Sequence, residues 1–465
     1  MRNAAGTQRL LWGQRQSKVD AAFTSGSRRS KVDAASPLRS SFIRGVPPRL
    51  FQALCLPFGS SPFHATLPPV PALPTIVHLD ADAFFVSCEQ ARDPSLRGKK
   101  CAVGGRERGI ISSASYEARA CGVFTPMPSK SALKICPGLI LIAHTPGLYG
   151  KVSARMFDLC ETLTPIVQRN SIDEGYLDVG MCGFKSAGEI ESAVRKLQRR
   201  IWDELQIPAS MGIARNKLVA QIASKLRKPR GFVTVPPGEE AAFLAPLAIG
   251  KLPGVGAKTE AALAARGLRL VSDLCTRPEG ELQAIFGREW RDMLARARGE
   301  DDHPVETEAE DAKSYSQQET FATDVGDFGE IERVAKRMLD DLMPKIRADG
   351  KRVRTMTIKA RYPDFSQESH AHSLEAATDL ERPFYPFVAP LLRAAWKKRS
   401  PLRLVSVRLS GVDAGPDQLE MFAQNDEKRR RLAGVLDRLN HRGRDAVVTH
   451  GHQLGGDGKS AKGPG

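Results

Sequence analysis

Two short acidic strings place carboxylates where they can act together on a cation. The first is Asp80-Ala81-Asp82, at the end of the apolar run Ile76-Val77-His78-Leu79. The second is Asp173-Glu174, within Ser171-Ile172-Asp173-Glu174-Gly175-Tyr176-Leu177-Asp178 and between the β-prone runs 165–168 and 175–179. Strand alternation puts Asp80 and Asp82 on one face and Val77, Leu79 and Ala81 on the other. Consecutive acids on a strand point to opposite faces. Asp173 and Glu174 therefore converge only through a turn or bulge, for which Gly175 is suitably placed. Carboxylates from two strands meeting at one sheet edge suit Mg²⁺, which prefers oxygen ligands and shares its shell with phosphates. Two such ions activate an attacking hydroxyl and stabilise a leaving pyrophosphate. Taken singly, each pair reads first as solvated turn acids.

The elements that must carry these acids follow from hydrophobic period. Helical and strand patterns alternate over residues 74–236, an α/β body in which residues 76–81 form a buried strand. Residues 240–299 read as all-helical. Residues 300–312 form a linker with seven acids (Glu300, Asp301, Asp302, Glu306, Glu308, Glu310, Asp311) and no lysine or arginine. Strands at 314–321, 352–362, 369–377 and 402–412, with helices at 328–348 and 384–398, predict a separate α+β module over 313–413. Residues 414–465 read as a polar tail.

The chain has 465 residues, with 69 Lys and Arg against 53 Asp and Glu, a formal charge of +16 and a pI near 9.6. That balance points to a polyanionic partner, nucleic acid before acidic membrane. No apolar run approaches the roughly 18 residues needed to cross a bilayer. Residues 1–73 are basic, rich in Ser, Gly and Pro, and repeat Ser-Lys-Val-Asp-Ala-Ala at Ser17 and Ser30. They carry half of the net charge: ten Lys or Arg less two Asp, or +8. The stretch reads as a disordered extension, a transit peptide or translated upstream sequence. The eight cysteines contain no CxxC pair and no zinc-spaced cluster, so they are expected as small buried hydrophobes in a reducing cytoplasm.

The longer strings are more specific. Asp80-Ala81-Asp82-Ala83-Phe84-Phe85 resembles the opening motif of Y-family translesion DNA polymerases, and Ser171 to Asp178 resembles their second catalytic motif. Between them, Ser113-Ala114-Ser115-Tyr116-Glu117-Ala118-Arg119 resembles the family's fingers motif. Met211 to Lys217 and Lys228-Pro229-Arg230-Gly231 follow in the family's order, and the bacterial DNA polymerase IV group is the most similar branch.

The resemblance implies an α/β and α+β multidomain fold: a right-hand palm, fingers and thumb core with a C-terminal little finger domain. The palm spans 74–239 with fingers inserted at about 87–145. The thumb spans 240–299 and the little finger 313–413. It implies extension of a primer on template DNA with deoxynucleoside triphosphates, two Mg²⁺ and no proofreading. Asp80, Asp173, Glu174 and the Ala81 carbonyl become the metal ligands, with Asp82 either a ligand or a support for the strand end. Phe85 becomes a steric gate whose ring excludes a 2′-hydroxyl. Tyr116 and Arg119 hold the triphosphate, assisted by Ser113, since a guanidinium donates two bonds to phosphate. The family usually has Lys in the Ala-Lys-Ile-Ala context, where this chain has Ala220-Gln221-Ile222-Ala223. Lys217 and Lys225 are candidates to replace that charge.

Leu252-Pro253-Gly254-Val255-Gly256 looks like a helix-hairpin-helix turn, with Gly254 and Gly256 offering backbone N–H groups to a DNA phosphate; a plain turn is the other reading. Lys351, Arg352, Arg354, Lys359 and Arg361, with Lys397 to Arg399, form basic groups suited to phosphates without base reading. A solvated β face fits them too. Gln418-Leu419-Glu420-Met421-Phe422 resembles the peptide that binds the bacterial sliding clamp, with Gln418, Leu419, Met421 and Phe422 as contacts. The expected protein is a cytoplasmic, nucleoid-acting monomer with no membrane association. The alternatives are a non-catalytic DNA- and clamp-binding accessory protein on the same fold and a helix-hairpin-helix repair lyase. The acids disfavour the first, and no suitably placed lysine supports the second.

Overall fold

The computed structural model describes residues 73–105, 108–308, 310–413, 424–441, 448 and 451. The basic extension, Cys55 and the clamp-like string Gln418–Phe422 lie outside the described residues.

The chain enters through β1 (Ile76–Ala81) and turns at Ala83, φ 46°, into α1 (Phe84–Arg92). Next come β2 (Cys101–Gly104), β3 (Ile110–Ala114), α2 (Tyr116–Ala120), β4 (Met127–Pro128), α3 (Ser129–Ile135) and β5 (Ile140–Ile142). Those strands make a small sheet of order β4-β3-β2-β5. The chain then returns through α4 (Leu148–Glu161), β6 (Val167–Arg169), β7 (Glu174–Asp178), α5 (Ala187–Leu205), β8 (Ala209–Ala214), α6 (Lys217–Leu226) and β9 (Phe232–Thr234). This builds a five-stranded sheet, β6-β7-β1-β8-β9, with β1 central and antiparallel to both neighbours.

The expected alternation along β1 holds. Val77, Leu79 and Ala81 join the core that includes Met156 and Phe157 of α4 and Ile190 and Val194 of α5. Ile76 joins the core formed with α6. Gly175 plays a different part from the one expected. It lies inside β7, where a side chain would meet the Gln168 carbonyl and Phe157, so it serves close packing. The turn before it is made by Ser171, whose hydroxyl accepts the N–H groups of Asp173 (3.2 Å) and Glu174 (3.1 Å).

The helical region contains α7 (Glu240–Leu244), α8 (Ala257–Ala264), α9 (Val271–Thr276), α10 (Glu279–Phe286) and α11 (Trp290–Ala297). The hairpin at 252–256 follows a one-turn 3₁₀ helix, Ile249–Lys251, where a fuller helix was expected; Gly254 takes φ 93° and Gly256 caps α8. The acidic linker is anchored rather than loose. Asp301 accepts the Leu218 N–H at 3.0 Å, the Pro304 carbonyl accepts Lys217 Nζ at 3.0 Å, and Asp311 pairs with Lys351 at 2.8 Å.

The C-terminal module runs β10 (Ser314–Val325), α12 (Phe328–Ala348), β11 (Val353–Arg361), β12 (Gln367–Thr378), α13 (Tyr385–Ala395) and β13 (Leu402–Ser410). Its order, β10-β13-β11-β12, is fully antiparallel. Met356, Ile358 and Ala360 pack with Met338, Leu339 and Leu392 of the helices. The other face is polar: Thr357 pairs with Arg408 and Lys359 with Ser406. The polar tail contains α14 (Gln424–His441). Arg347 holds it with two bonds to Asp437 (2.7 and 2.9 Å), and Arg430 pairs with Asp379 at 3.0 Å. Cys88, Cys101, Cys136 and Cys160 are buried as expected, whereas Cys275 is exposed.

Candidate active site

The strand register assembles the acids. Asp80 of β1 stands directly opposite Glu174 of β7, so both side chains leave the same face. Asp173 sits one residue before β7, and its carbonyl accepts the Ala81 N–H at 2.8 Å. The Asp82 N–H is held on the other side by the Pro208 carbonyl at 2.8 Å. Asp80, the Ala81 backbone, Asp173 and Glu174 thus meet at one end of the sheet.

Each acid has a distinct environment. Asp80 is 7% exposed, and burial pushes it up to about 6 despite the ammonium of Lys228 beside it. Burial also raises Asp173, whose carboxylate accepts the Ser171 hydroxyl at 2.5 Å. Burial works to raise Glu174 too, but Lys225 at 3.3 Å, His78 and the Asn170 amide together outweigh it and hold the carboxyl below the usual range. Asn170 donates to the same group at 2.9 Å. Asp82 is fully buried and accepts bonds from the Ser210 hydroxyl (2.9 Å to each oxygen) and the Arg230 N–H (2.7 Å). A carboxylate so occupied supports the strand end.

Among the described residues no group of three carboxylate, imidazole or thiolate side chains stands at metal-binding spacing. Lys228 bridges Asp80 and Asp82, the latter at 3.4 Å, and Lys225 takes Glu174. Buried carboxylates require a compensating cation, and two ammonium groups supply it. The donor set nevertheless fits Mg²⁺: hard oxygens, partly desolvated and converging from two strands.

The other residues singled out in the sequence surround this end. Phe85, on α1, packs on Tyr149 with ring centres 4.5 Å apart. The Tyr149 hydroxyl donates to the buried Glu89 at 2.8 Å, and Glu89 lies four residues beyond Phe85 on the same helix. Ser113 is buried, and its hydroxyl accepts the Val86 N–H at 3.4 Å. Tyr116 begins α2 and points its hydroxyl at Asp82, 3.4 Å away. Arg119 lies over the Tyr116 ring at 4.8 Å, its Nε donating to the Ala114 carbonyl at 3.0 Å. Of the two candidates for the charge missing at Gln221, Lys225 pairs with Glu174. Lys217 is turned to the linker and to the Tyr176 ring.

Sequence reading assigned no role to Lys228, Ser210 or His78. Lys228 was visible only inside an ordered string. Nothing local marked the other two.

Known proteins are similar to this chain over most of its length. Residues 79–225 match the impB/mucB/samB family, residues 237–268 the IMS family HHH motif, and residues 312–421 the impB/mucB/samB family C-terminal domain. A DNA polymerase IV of Opitutus terrae is 73% identical over 383 residues, spanning 82% of this chain and 98% of its own. The chain belongs to the Y family of DNA polymerases. A DNA polymerase IV of Dehalococcoides mccartyi is 36% identical over 378 residues, spanning 80% of this chain and 95% of its own. Among solved structures, the Y-family DNA polymerase chimera Dbh-Dpo4(243-245)-Dbh superposes with TM-score 0.67 at 26% identity, covering 73% of this chain and 99% of the chimera. An insertion ternary complex of Dbh DNA polymerase gives TM-score 0.54 at 25% identity, with the same coverage. This Y-family member is therefore a DNA-directed DNA polymerase with a palm, fingers and thumb core and a little finger domain. Among its described residues no helix is long and apolar enough to cross a membrane.

Proposed function

We propose that this polymerase extends primers across damaged template bases, with low fidelity and without proofreading, and works in the cytoplasm as a monomer on nucleoid DNA. The observation that carries the catalytic assignment is the Asp80–Glu174 register with Asp173 hydrogen-bonded beside Ala81. Asp80, Asp173, Glu174 and the Ala81 carbonyl would hold two Mg²⁺. Bound there, the ions supply activation of the primer 3′-hydroxyl and charge neutralisation of the pyrophosphate.

The chain's own residues do the rest. Asp82 fixes the end of β1 through Ser210 and the Arg230 amide. Phe85 closes the sugar side against a 2′-hydroxyl. Tyr116 and Arg119, with Ser113 behind them, face the triphosphate. Lys225, one helical turn beyond Gln221, restores the positive charge that Gln221 lacks. The N–H groups at Gly254 and Gly256 meet a phosphate of the duplex. Lys359 and Arg361 line the open face of the little finger sheet, with exposed Arg354 at its bulge, and track the backbone. Lys351 and Arg352 stand at the linker junction, where Lys351 already pairs with Asp311. Gln418, Leu419, Met421 and Phe422 tether the enzyme to a sliding clamp, raising its local concentration at primer ends.

Primer extension on intact and lesion-bearing templates tests the reading, comparing wild type with Asp173→Ala and Glu174→Ala. Wild type is expected to extend both templates and neither variant to extend either. Stalling of wild type at every lesion would reject the bypass role, and extension by either variant would reject its acid.

A further inference from the structure

His78 lies wholly buried in the middle of β1, on the same face as Asp80. Buried polar atoms are ordinarily satisfied. Here Nδ1 is 2.8 Å from the Ser224 hydroxyl, whereas Nε2 has no hydrogen-bond partner. Nε2 lies 3.8 Å from Glu174 Oε2, beyond hydrogen-bond reach.

The ladder creates this juxtaposition. His78 pairs with Tyr176 on one side and Gly212 on the other, so Glu174 is its diagonal neighbour. Gly212 has no side chain, and α6 closes on the strand there. A methyl group at 212 would run into the Ala220 carbonyl and the Ser224 amide. That close approach delivers the Ser224 hydroxyl to His78.

A single proton decides what the ring does. The Ser224 hydroxyl donates to the Gln221 carbonyl at 2.8 Å. With its only hydrogen placed there, it accepts from Nδ1–H. The ring, neutral in its dry surroundings, then presents a bare Nε2 lone pair to a carboxylate. Two facing acceptors account for the gap. With the Ser224 hydrogen turned to Nδ1 instead, the ring carries its own at Nε2 and can donate to Glu174 at about 2.9 Å.

We propose that His78 is a positioning residue for Glu174, switched by Ser224 between a tautomer that leaves the carboxylate to Lys225 and Asn170 alone and one that adds an Nε2–H donor to it. The inference rests on reading Glu174 as a metal carboxylate. A cation that takes one Glu174 oxygen leaves the other for Nε2–H. Ligating carboxylates are themselves hydrogen-bonded, and losing such a partner costs about 10- to 100-fold in metal affinity.

Two measurements on the full chain test this. The first is Mn²⁺ binding, followed by electron paramagnetic resonance of the free ion. His78→Phe keeps a ring against Tyr176 and is expected to raise the half-saturating concentration about tenfold. Ser224→Ala removes the hydroxyl that draws the hydrogen to Nδ1 and is expected to bind Mn²⁺ more tightly than wild type; weaker binding would overturn the switch. The second is the ¹⁵N shifts of the His78 ring in wild type, expected to report Nδ1–H in the free protein and Nε2–H at saturating Mg²⁺. Wild-type Mn²⁺ affinity in His78→Phe, or an Nδ1–H tautomer that persists with Mg²⁺, overturns the proposal. Glu174→Ala locates the failure. If it too binds like wild type, the metal reading of Glu174 falls with the proposal; if it alone loses binding, only the role of His78 falls.

Discussion

Replacing Tyr149 by phenylalanine should loosen sugar selection while leaving ordinary extension largely intact. Phe85, the proposed gate, rests on the Tyr149 ring, and that ring is pinned by its hydroxyl to Glu89. Phenylalanine keeps the stacking surface and removes the pin, together with the weaker bond that the Thr145 N–H donates to the same hydroxyl at 3.3 Å. A hydrogen bond to a charged group contributes about 1.5–3 kcal/mol. Glu89 keeps the Thr145 hydroxyl at 2.6 Å and Arg92 at 2.8 Å, so the lower end applies, about 1.5 kcal/mol. At about 1.4 kcal/mol per factor of ten, that is up to about a tenfold loss of deoxyribose over ribose preference if the whole loss falls on the gate. The assay is single-nucleotide insertion, comparing kcat/KM for dCTP and CTP opposite template dG, with Phe85→Ala setting the upper limit. Ribonucleotide kcat/KM should rise and the deoxynucleotide value stay within about threefold. An unchanged ratio, in a variant that urea titration shows to have lost the expected stability, would refute the bracing argument.

Four further outcomes are expected. Lys228→Met leaves buried Asp80 and Asp82 without their shared cation and should cost about 3 kcal/mol in the metal-free protein, partly restored by added Mg²⁺ in thermal melts; equal losses with and without Mg²⁺ would contradict this. Lys225→Gln should raise KM for the incoming nucleotide about fivefold, and Gln221→Lys in the same chain should reverse it; failure of the second change to rescue the first would separate the two positions. Burial places Asp80 at about 6, so below that pH a proton competes with the cation for its carboxylate. The Mg²⁺ needed for half-maximal extension should rise as pH falls, by about tenfold per unit below pH 6, and a flat requirement between pH 5 and 7 would count against it. Deleting Gln418–Phe422 should abolish stimulation by the clamp and leave basal extension unchanged, which extension rates with and without clamp will read.

Much of the molecule was legible because local rules are read from nearby residues. The period of residues 328–348 predicted α12 with the bounds it has, since its apolar residues recur along one helical face. Alternation in β1 told which residues face the core and which carry the acids. A turn at Asp173 and Glu174 was expected, but its maker was misassigned. A serine hydroxyl bonded to two amides does the work given to Gly175. The polar tail hid a helix for a related reason. Its low hydrophobicity signals solvent exposure, while its anchoring to Arg347 depends on a partner 90 residues away.

Residue types, order and short-range period alone determined the carboxylate strings, the body plan and the family. Tertiary structure decided which cations those acids meet. Lys228 reaches Asp80 across 148 positions and His78 meets Ser224 across 146, distances at which neither period nor propensity constrains a pair. Those contacts exist because β1 lies between β7 and β8, and because Gly212 lets α6 close upon the sheet. The charge balance around these acids is therefore a property of packing, set where desolvation makes each unpaired charge costly.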